Sequence, residues 1–361
     1  MNDSAENSPR IKVLVADDSA FMRTALTRMI ESDPGLHVVA TAQNGKDALE
    51  KVVSLQPDVV TLDVEMPGMN GLDTLRHIMK EFPRPVIMVS SLTQQGAETT
   101  LEALDIGAFD CVPKQQSFVS LDIIKIRDDL VAKIQAAAET QRRRPLARVA
   151  PAVGAGKAPI RVFQHAPPSV IALGTSTGGP KALQEILPLL PADLSVGVLI
   201  VQHMPQGFTG PFARRLDNLC NVTVKEAAHG EMIEPGVVYI APAGQHMAVS
   251  RRGASKVAIQ LSQTPAGTLH MPSVDVMMLS VAEVFHGLSM GVIMTGMGAD
   301  GVQGMQAIAR EGGLTLGQDE ASCTVYGMPR SCAEAGVLQR VVPLKQIPDQ
   351  IMLATRYQRR A

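Results

Sequence analysis

Short apolar runs alternate with helix-period segments along this chain, and they do so twice, on either side of a stretch that shows neither pattern. In the first third the runs at 11–16, 38–41, 59–62, 86–89 and 109–112 are separated by helical patterns at 20–31, 45–55, 72–81, 98–104 and 121–140. Near-continuous apolar runs suit strands buried on both faces, and a parallel neighbour is reached only through a crossover long enough to hold a helix. Five such units predict a parallel sheet covered by helices. Residues 141–167 break the alternation with Arg142-Arg143-Arg144-Pro145, then Ala, Pro and Gly without period, which reads as a flexible, solvated linker. The alternation restarts with strand-like runs at 170–173, 196–202, 237–241 and 292–295 and helical patterns at 180–187 and 208–219. The expectation is α/β throughout: two doubly wound parallel-sheet domains, 1–140 and 168–361, joined by 141–167.

Length agrees, since 361 residues exceed the roughly 100–200 typical of one domain. Aromatic residues are 3% with no Trp, so the cores must be aliphatic, with 19 Met residues to fill irregular gaps. A net charge of −2 provides no general attraction to nucleic acid or an anionic membrane. Cys111, Cys220, Cys323 and Cys332 have no C-x-x-C spacing, which excludes the usual zinc and disulfide frameworks and fits a reducing cytoplasm. No apolar stretch approaches the roughly 20 residues that span a bilayer, so no membrane insertion is expected.

The carboxyl ends of the first five strands carry a distinctive set. Asp17 and Asp18 follow the first, Asp63 the third, Ser90 the fourth and Lys114 the fifth. In an open parallel sheet these ends share one edge, where ligands bind. Crowded carboxylates need a cation, and hard oxygen donors with room for water suit Mg²⁺, while a lysine and a hydroxyl can hold phosphate oxygens. With Asp63-Val-Glu-Met-Pro-Gly-Met-Asn-Gly71, residues 9 to about 139 resemble a response-regulator receiver domain, of the flavodoxin-like fold. The resemblance implies that Asp63 accepts a phosphoryl group from a histidine kinase, that Asp17, Asp18 and Asp63 bind Mg²⁺, and that Ser90 and Lys114 contact the phosphoryl group. Two positions depart from that family: Gln115 follows the lysine, with Pro113 before it, and Cys111 stands where an aromatic switch residue is usual.

In the second half, Gly174-Thr-Ser176-Thr-Gly-Gly179 follows an apolar run and resembles the G-x-S-x-G turn, which exposes a serine nucleophile beside backbone N–H groups. A hydroxyl needs an imidazole to take its proton and a carboxylate to orient that imidazole. His203 ends the run 196–202, and Asp300 lies in the glycine turn after 291–295, so three strand ends supply the three types. His286 sits in a helical pattern, His229 and His246 in glycine-containing turns and His270 in a loop, which makes them weaker alternates. The order Ser, His, Asp differs from that of α/β-hydrolases. A phosphate-binding P-loop fails because Pro180 displaces the lysine and Ala182 replaces the magnesium-binding hydroxyl. A receiver fused to a DNA-binding domain fails for want of a basic recognition helix after Pro168.

Gly174–Gly179, Gln202-His203-Met-Pro205, Pro272-Ser-Val-Asp275, Thr295-Gly-Met-Gly-Ala-Asp300-Gly301 and Gly327-Met-Pro-Arg330 together resemble the CheB-type chemotaxis methylesterases, whose catalytic domain is Rossmann-like. That resemblance covers nearly the whole chain. It implies hydrolysis of glutamate γ-methyl esters on chemoreceptors, with deamidation of receptor glutamines in many members, through Ser176, His203 and Asp300. It also implies that the Met297 N–H is an oxyanion donor, that Thr177 supports the histidine, and that the esterase site needs no cofactor. Ala299 stands where that family usually has Asn, so the support of Asp300 is not readable from its neighbours.

Overall fold

The computed structural model describes residues 10–114, 122–143, 166–253 and 256–357. The chain divides into two compact units, Met1–Pro151 and Ala152–Ala361. Most of the expected linker, 144–165, lies outside the described residues, as does Gln115.

In the first unit β1 (Ile11–Ala16), α1 (Ala20–Ile30), β2 (Leu36–Ala42), α2 (Gly45–Leu55), β3 (Val59–Asp63), α3 (Gly71–Glu81), β4 (Val86–Ser90), α4 (Gln94–Ile106), β5 (Asp110–Pro113) and α5 (Asp122–Arg143) alternate strictly. The sheet order is β2-β1-β3-β4-β5, parallel at every pair. Every residue of β3 and β4 is buried, which is why those strands read as unbroken apolar runs. Val13, Val15, Ile87 and Val89 pack against Leu26 and Ile30 of α1 and Leu130 and Ile134 of α5. Each such side chain contributes roughly 1.5–3 kcal/mol by leaving water. Ser19, Asn44, Asn70 and Thr93 cap α1 to α4 through side-chain oxygens, so the turns after the strands are also helix starts. The helix α5 runs three residues beyond the expected boundary at 140, as its Gln and Arg residues favour.

The second unit contains β6 (Val170–Thr175), α6 (Gly179–Ile186), β7 (Gly197–Gln202), α7 (Thr209–Asp217), β8 (Thr223–Glu226), β9 (Val237–Ile240), β10 (His246–Arg252) and β11 (Lys256–Ser262). It continues with α8 (Val274–Phe285), β12 (Ser289–Ile293), α9 (Val302–Arg310), β13 (Leu314–Gln318), α10 (Met328–Glu334), β14 (Arg340–Val342) and α11 (Ile347–Ala354). Seven strands form a parallel sheet in the order β14-β13-β12-β6-β7-β9-β8. The strand β6 is central and buried along its whole length, with β7 on one side and β12 on the other. From β6 the chain builds outward in one direction and later returns to build in the other, which creates a crevice at the carboxyl ends of these three strands.

Two local expectations are corrected. His246 is not in a turn: it opens β10, which pairs antiparallel with β11 in a separate two-stranded ribbon. The third strand of the proposed triad ends at Ile293, two residues before the expected 295, so Asp300 is carried by the loop between β12 and α9.

Candidate active site and phosphorylation site

Ser176 leaves β6 on a tight strand-to-helix turn. Its N–H donates to the Thr295 carbonyl at 3.0 Å, and its own carbonyl accepts from Gly179 N–H at 2.7 Å and the Gln202 amide at 3.0 Å. Gly178 completes the turn at φ +80°, in the left-handed region that a side chain would strain. His203 lies directly across, because Thr175 pairs with Gln202 in the sheet register and the His203 N–H donates to the Thr175 carbonyl at 3.2 Å.

The histidine ring is held from two sides. Its Nε2 lies 2.9 Å from Asp300 Oδ2, and the ring of His270 stacks on it at 4.1 Å between centroids and 19° between planes. Its Nδ1 is buried and has no hydrogen-bond partner among the described residues, so Ser176 Oγ is near the histidine by strand position but not bonded to it. A proton on Nε2 donated to Asp300 leaves Nδ1 as the basic nitrogen.

Asp300 is surrounded by donors. Oδ1 accepts from Ser273 Oγ at 2.9 Å and Asp275 N–H at 3.0 Å, while Oδ2 accepts from Val274 N–H at 2.7 Å as well as meeting His203. These groups are the first turn of α8, whose N-terminal partial charge favours an anion there. Burial alone would push the Asp300 carboxyl up; the His203 hydrogen bond and charge, with the Asp275 and Val274 N–H groups, overcome it and hold the carboxyl well below the usual range. Capping is reciprocal: Asp275 on α8 accepts from Gly304 N–H, in the first turn of α9, at 2.8 Å. Support for Asp300 therefore comes from residues 273–275, and Ala299 is exposed.

Gly296 brings a second backbone segment against the serine. A Cβ there would lie 2.9 Å from Ser176 Cβ and 3.0 Å from Ser176 N, so only glycine permits the approach. The next residue, Met297, is half-buried, and its N–H donates no hydrogen bond among the described residues. Thr177 is buried, and its carbonyl accepts from Thr295 Oγ1 at 2.9 Å. His286, at the end of α8, is exposed with Nδ1 2.8 Å from Glu311, remote in role from this crevice.

Sequence reasoning placed Ser176, His203 and Asp300 at one sheet edge. His270 is there only a weaker alternate for the catalytic histidine, not a partner of His203, and Ser273 and Asp275 stand only inside a motif. A serine directly before the apolar run of α8 is an N-cap signal, and it was the legible clue that a helix start lay near the carboxylate.

In the first unit, Asp17 follows β1, Asp63 ends β3, Ser90 ends β4 and Lys114 follows β5, so the expected cluster forms at the crevice between β1 and β3. Carboxylate oxygens of Asp17, Asp18 and Asp63 lie within 4.8 Å of one another. Lys114 Nζ is 3.0 Å from Asp17 and 2.6 Å from Asp63, yet Oδ2 of each is buried without an aligned hydrogen bond. Burial pushes the Asp63 carboxyl up to about 6, opposed by the close Lys114 ammonium and reinforced by the charge of Asp17. Two buried carboxylates with one ammonium, and an exposed third, are an oxygen donor set that suits Mg²⁺. Ser90 Oγ donates within the crevice wall, to the carbonyls of Gly96 at 3.2 Å and Ser91 at 3.3 Å. Cys111 is buried, and burial pushes its thiol up to about 12, so it is neither a nucleophile nor a ring that can swing. Lys133 on α5 donates to its carbonyl at 2.8 Å.

Comparison with known proteins places these sites in context. The family model described as CheB methylesterase matches residues 171–351, and that of the response regulator receiver domain matches residues 13–123. The protein-glutamate methylesterase/protein-glutamine glutaminase 1 of Oleidesulfovibrio alaskensis is 48% identical, across 95% of this chain and 99% of the relative. The protein of the same description, without the numeral, in Pyrococcus horikoshii is 47% identical, across 96% and 94%. Among solved structures, the CheB methylesterase catalytic domain of Thermotoga maritima is 37% identical, with a TM-score of 0.50, over 52% of this chain and 98% of that one.

Proposed function

The chain belongs to the CheB methylesterase family, and on that premise we propose that Ser176, His203 and Asp300 carry its hydrolytic chemistry under the control of Asp63. The activity is protein-glutamate methylesterase and protein-glutamine glutaminase: hydrolysis of glutamate γ-methyl esters on chemoreceptors with release of methanol, and of glutamine amides with release of ammonia. The observation that supports these three residues most strongly is a carboxylate with four donors that occupies one histidine nitrogen and leaves the other bare at the strand end beside the serine.

His203 Nδ1 takes the Ser176 proton as Oγ attacks the ester carbonyl, and Asp300 stabilises the imidazolium that results. The negative oxygen of the tetrahedral intermediate is received by the Met297 N–H, a donor not used elsewhere among the described residues; one such donor contributes about 3–4 kcal/mol. Collapse breaks the bond to methoxide, which leaves as methanol with the proton from His203. Water, deprotonated by the same nitrogen, then attacks the acyl-enzyme and restores the serine. Thr177, buried directly after the serine with its carbonyl bonded to Thr295 Oγ1, is the proposed support of the histidine.

In the first unit Asp63 accepts a phosphoryl group from a histidine kinase. Asp17, Asp18 and Asp63 would hold Mg²⁺, which when bound neutralises charge between carboxylate and phosphoryl oxygens. Lys114 Nζ, already 2.6 Å from Asp63, and the Ser90 hydroxyl contact the transferred group. Among the described residues no helix is long and apolar enough to cross a membrane.

Ser176→Ala tests the assignment. Methanol release from methylated receptor membranes should fall by roughly 10⁴-fold or more while the melting temperature is kept. Substantial surviving release would remove Ser176 as nucleophile.

A further inference from the structure

His246 lies outside the proposed triad and is wholly buried. Its two ring nitrogens are both used, and each partner fixes its role. Nδ1 accepts from the Ser273 N–H at 3.1 Å, so it carries no proton. Nε2 lies 3.1 Å from the Pro265 carbonyl, which only accepts, so Nε2 carries the proton. Thr268 Oγ1 sits 3.2 Å from the same nitrogen and donates to the His270 carbonyl at 2.9 Å. One neutral imidazole thus ties three points of the segment 265–273. That segment delivers His270, stacked on His203, and Ser273, whose hydroxyl donates to Asp300.

We infer that His246 is a positioning residue for hydrolysis, acting on the reacting groups through Ser273 and Asp300. The inference rests on the triad reading above. Its place at the start of β10 makes it rigid: Val249 N–H is bonded to Ser280 of α8 at 3.0 Å and Arg251 to the Val284 carbonyl at 2.7 Å, so ribbon and helix move as one. A displaced Ser273 loosens one of the two donors on Asp300 Oδ1 and shifts the start of α8, and with it the carboxylate that orients His203. The predicted deficit is in the chemical step and not in substrate capture, because no atom of His246 reaches solvent.

Asparagine and glutamine separate the two halves of the ring. His246→Asn places an oxygen near the Nδ1 position and keeps the acceptor for Ser273; His246→Gln places an amide near Nε2 and keeps only the Pro265 side. Methanol release from methylated receptor membranes, measured below both melting midpoints, should show kcat down roughly tenfold or more for Gln with KM nearly unchanged, and recovered to within about threefold of wild type for Asn. Ser273→Ala, which cuts the next link while leaving the Ser273 N–H on His246, should lower kcat like the Gln variant. A Gln variant as fast as the Asn variant, or a Ser273→Ala enzyme of wild-type kcat, overturns the inference. Ser176→Ala run alongside separates the two readings: if it is inactive, such results defeat the His246 role alone, and if it is active the triad itself is wrong.

Discussion

Asp300 concentrates the demands of the catalytic unit in two oxygen atoms. Four donors converge on it, and its carboxyl is held well below the usual range despite burial. Asp300→Asn replaces an acceptor by a group that must turn an NH₂ toward donors, and it removes the anion that stabilises the His203 imidazolium. The expected fall in kcat is about 10³- to 10⁴-fold, read from methanol release. Stability responds to pH with a definite sign. A carboxyl whose folded pKa is depressed contributes stability above its unfolded value and loses it as pH falls through the folded value. The gap in urea midpoint between wild type and Asp300→Asn should therefore shrink as the pH falls below about 4. A gap that closes between pH 8 and 6 would show that Asp300 is not held as described.

Helices α8 and α9 show how an element start can serve two ends. The N-terminus of α8 is capped by Asp300 from the loop before α9, and the first turn of α9 is capped by Asp275 from α8. Asp275→Ala removes one half of this exchange while leaving the Asp275 N–H on Asp300. The loss should resemble that of an N-cap, about 1–2 kcal/mol in urea unfolding, with kcat reduced far less than in Asp300→Asn. Equal loss of kcat in the two variants would mean that the halves are not separable. The contrast also explains what could be read beforehand. Strands β1, β3, β6 and β7 are apolar along most of their length, so their ends, and hence Asp17, Asp63, Ser176 and His203, could be placed by period alone. Strands β10 and β11 mix buried, partly buried and exposed residues without a regular period and carry Arg251, Arg252 and Lys256, so they lack that signal. The sequence accordingly reads as a turn at His246, where the fold opens a strand. Contacts such as Ser273 to Asp300 join positions 27 apart through space, and no periodicity encodes them.

At the scale of the molecule, two α/β units share one chain, and each has its candidate site at the carboxyl edge of its own sheet. Covalent linkage raises the effective concentration of each unit at the other. The composition of 144–167 predicts a flexible connection, which over that length would have an end-to-end distance of roughly 25–30 Å and hold the units at millimolar effective concentration. At that concentration even a millimolar affinity for the catalytic face occupies it about half the time, so the unphosphorylated receiver can act as an inhibitor without a strong interface. Phosphoryl transfer to Asp63 replaces a carboxylate by an acyl phosphate of about −1.5 to −2, a net gain of up to about one negative charge together with new acceptor oxygens, which can shift the population of a two-state receiver. Removing residues 1–140 should therefore raise basal methanol release from receptor membranes and abolish its response to a small phosphodonor. Asp63→Asn in the full chain should keep the low basal rate and also lose the response. A truncated enzyme no faster than the intact unphosphorylated one would exclude inhibition by the receiver, and would leave phosphorylation to act by adding catalytic capacity to the second unit.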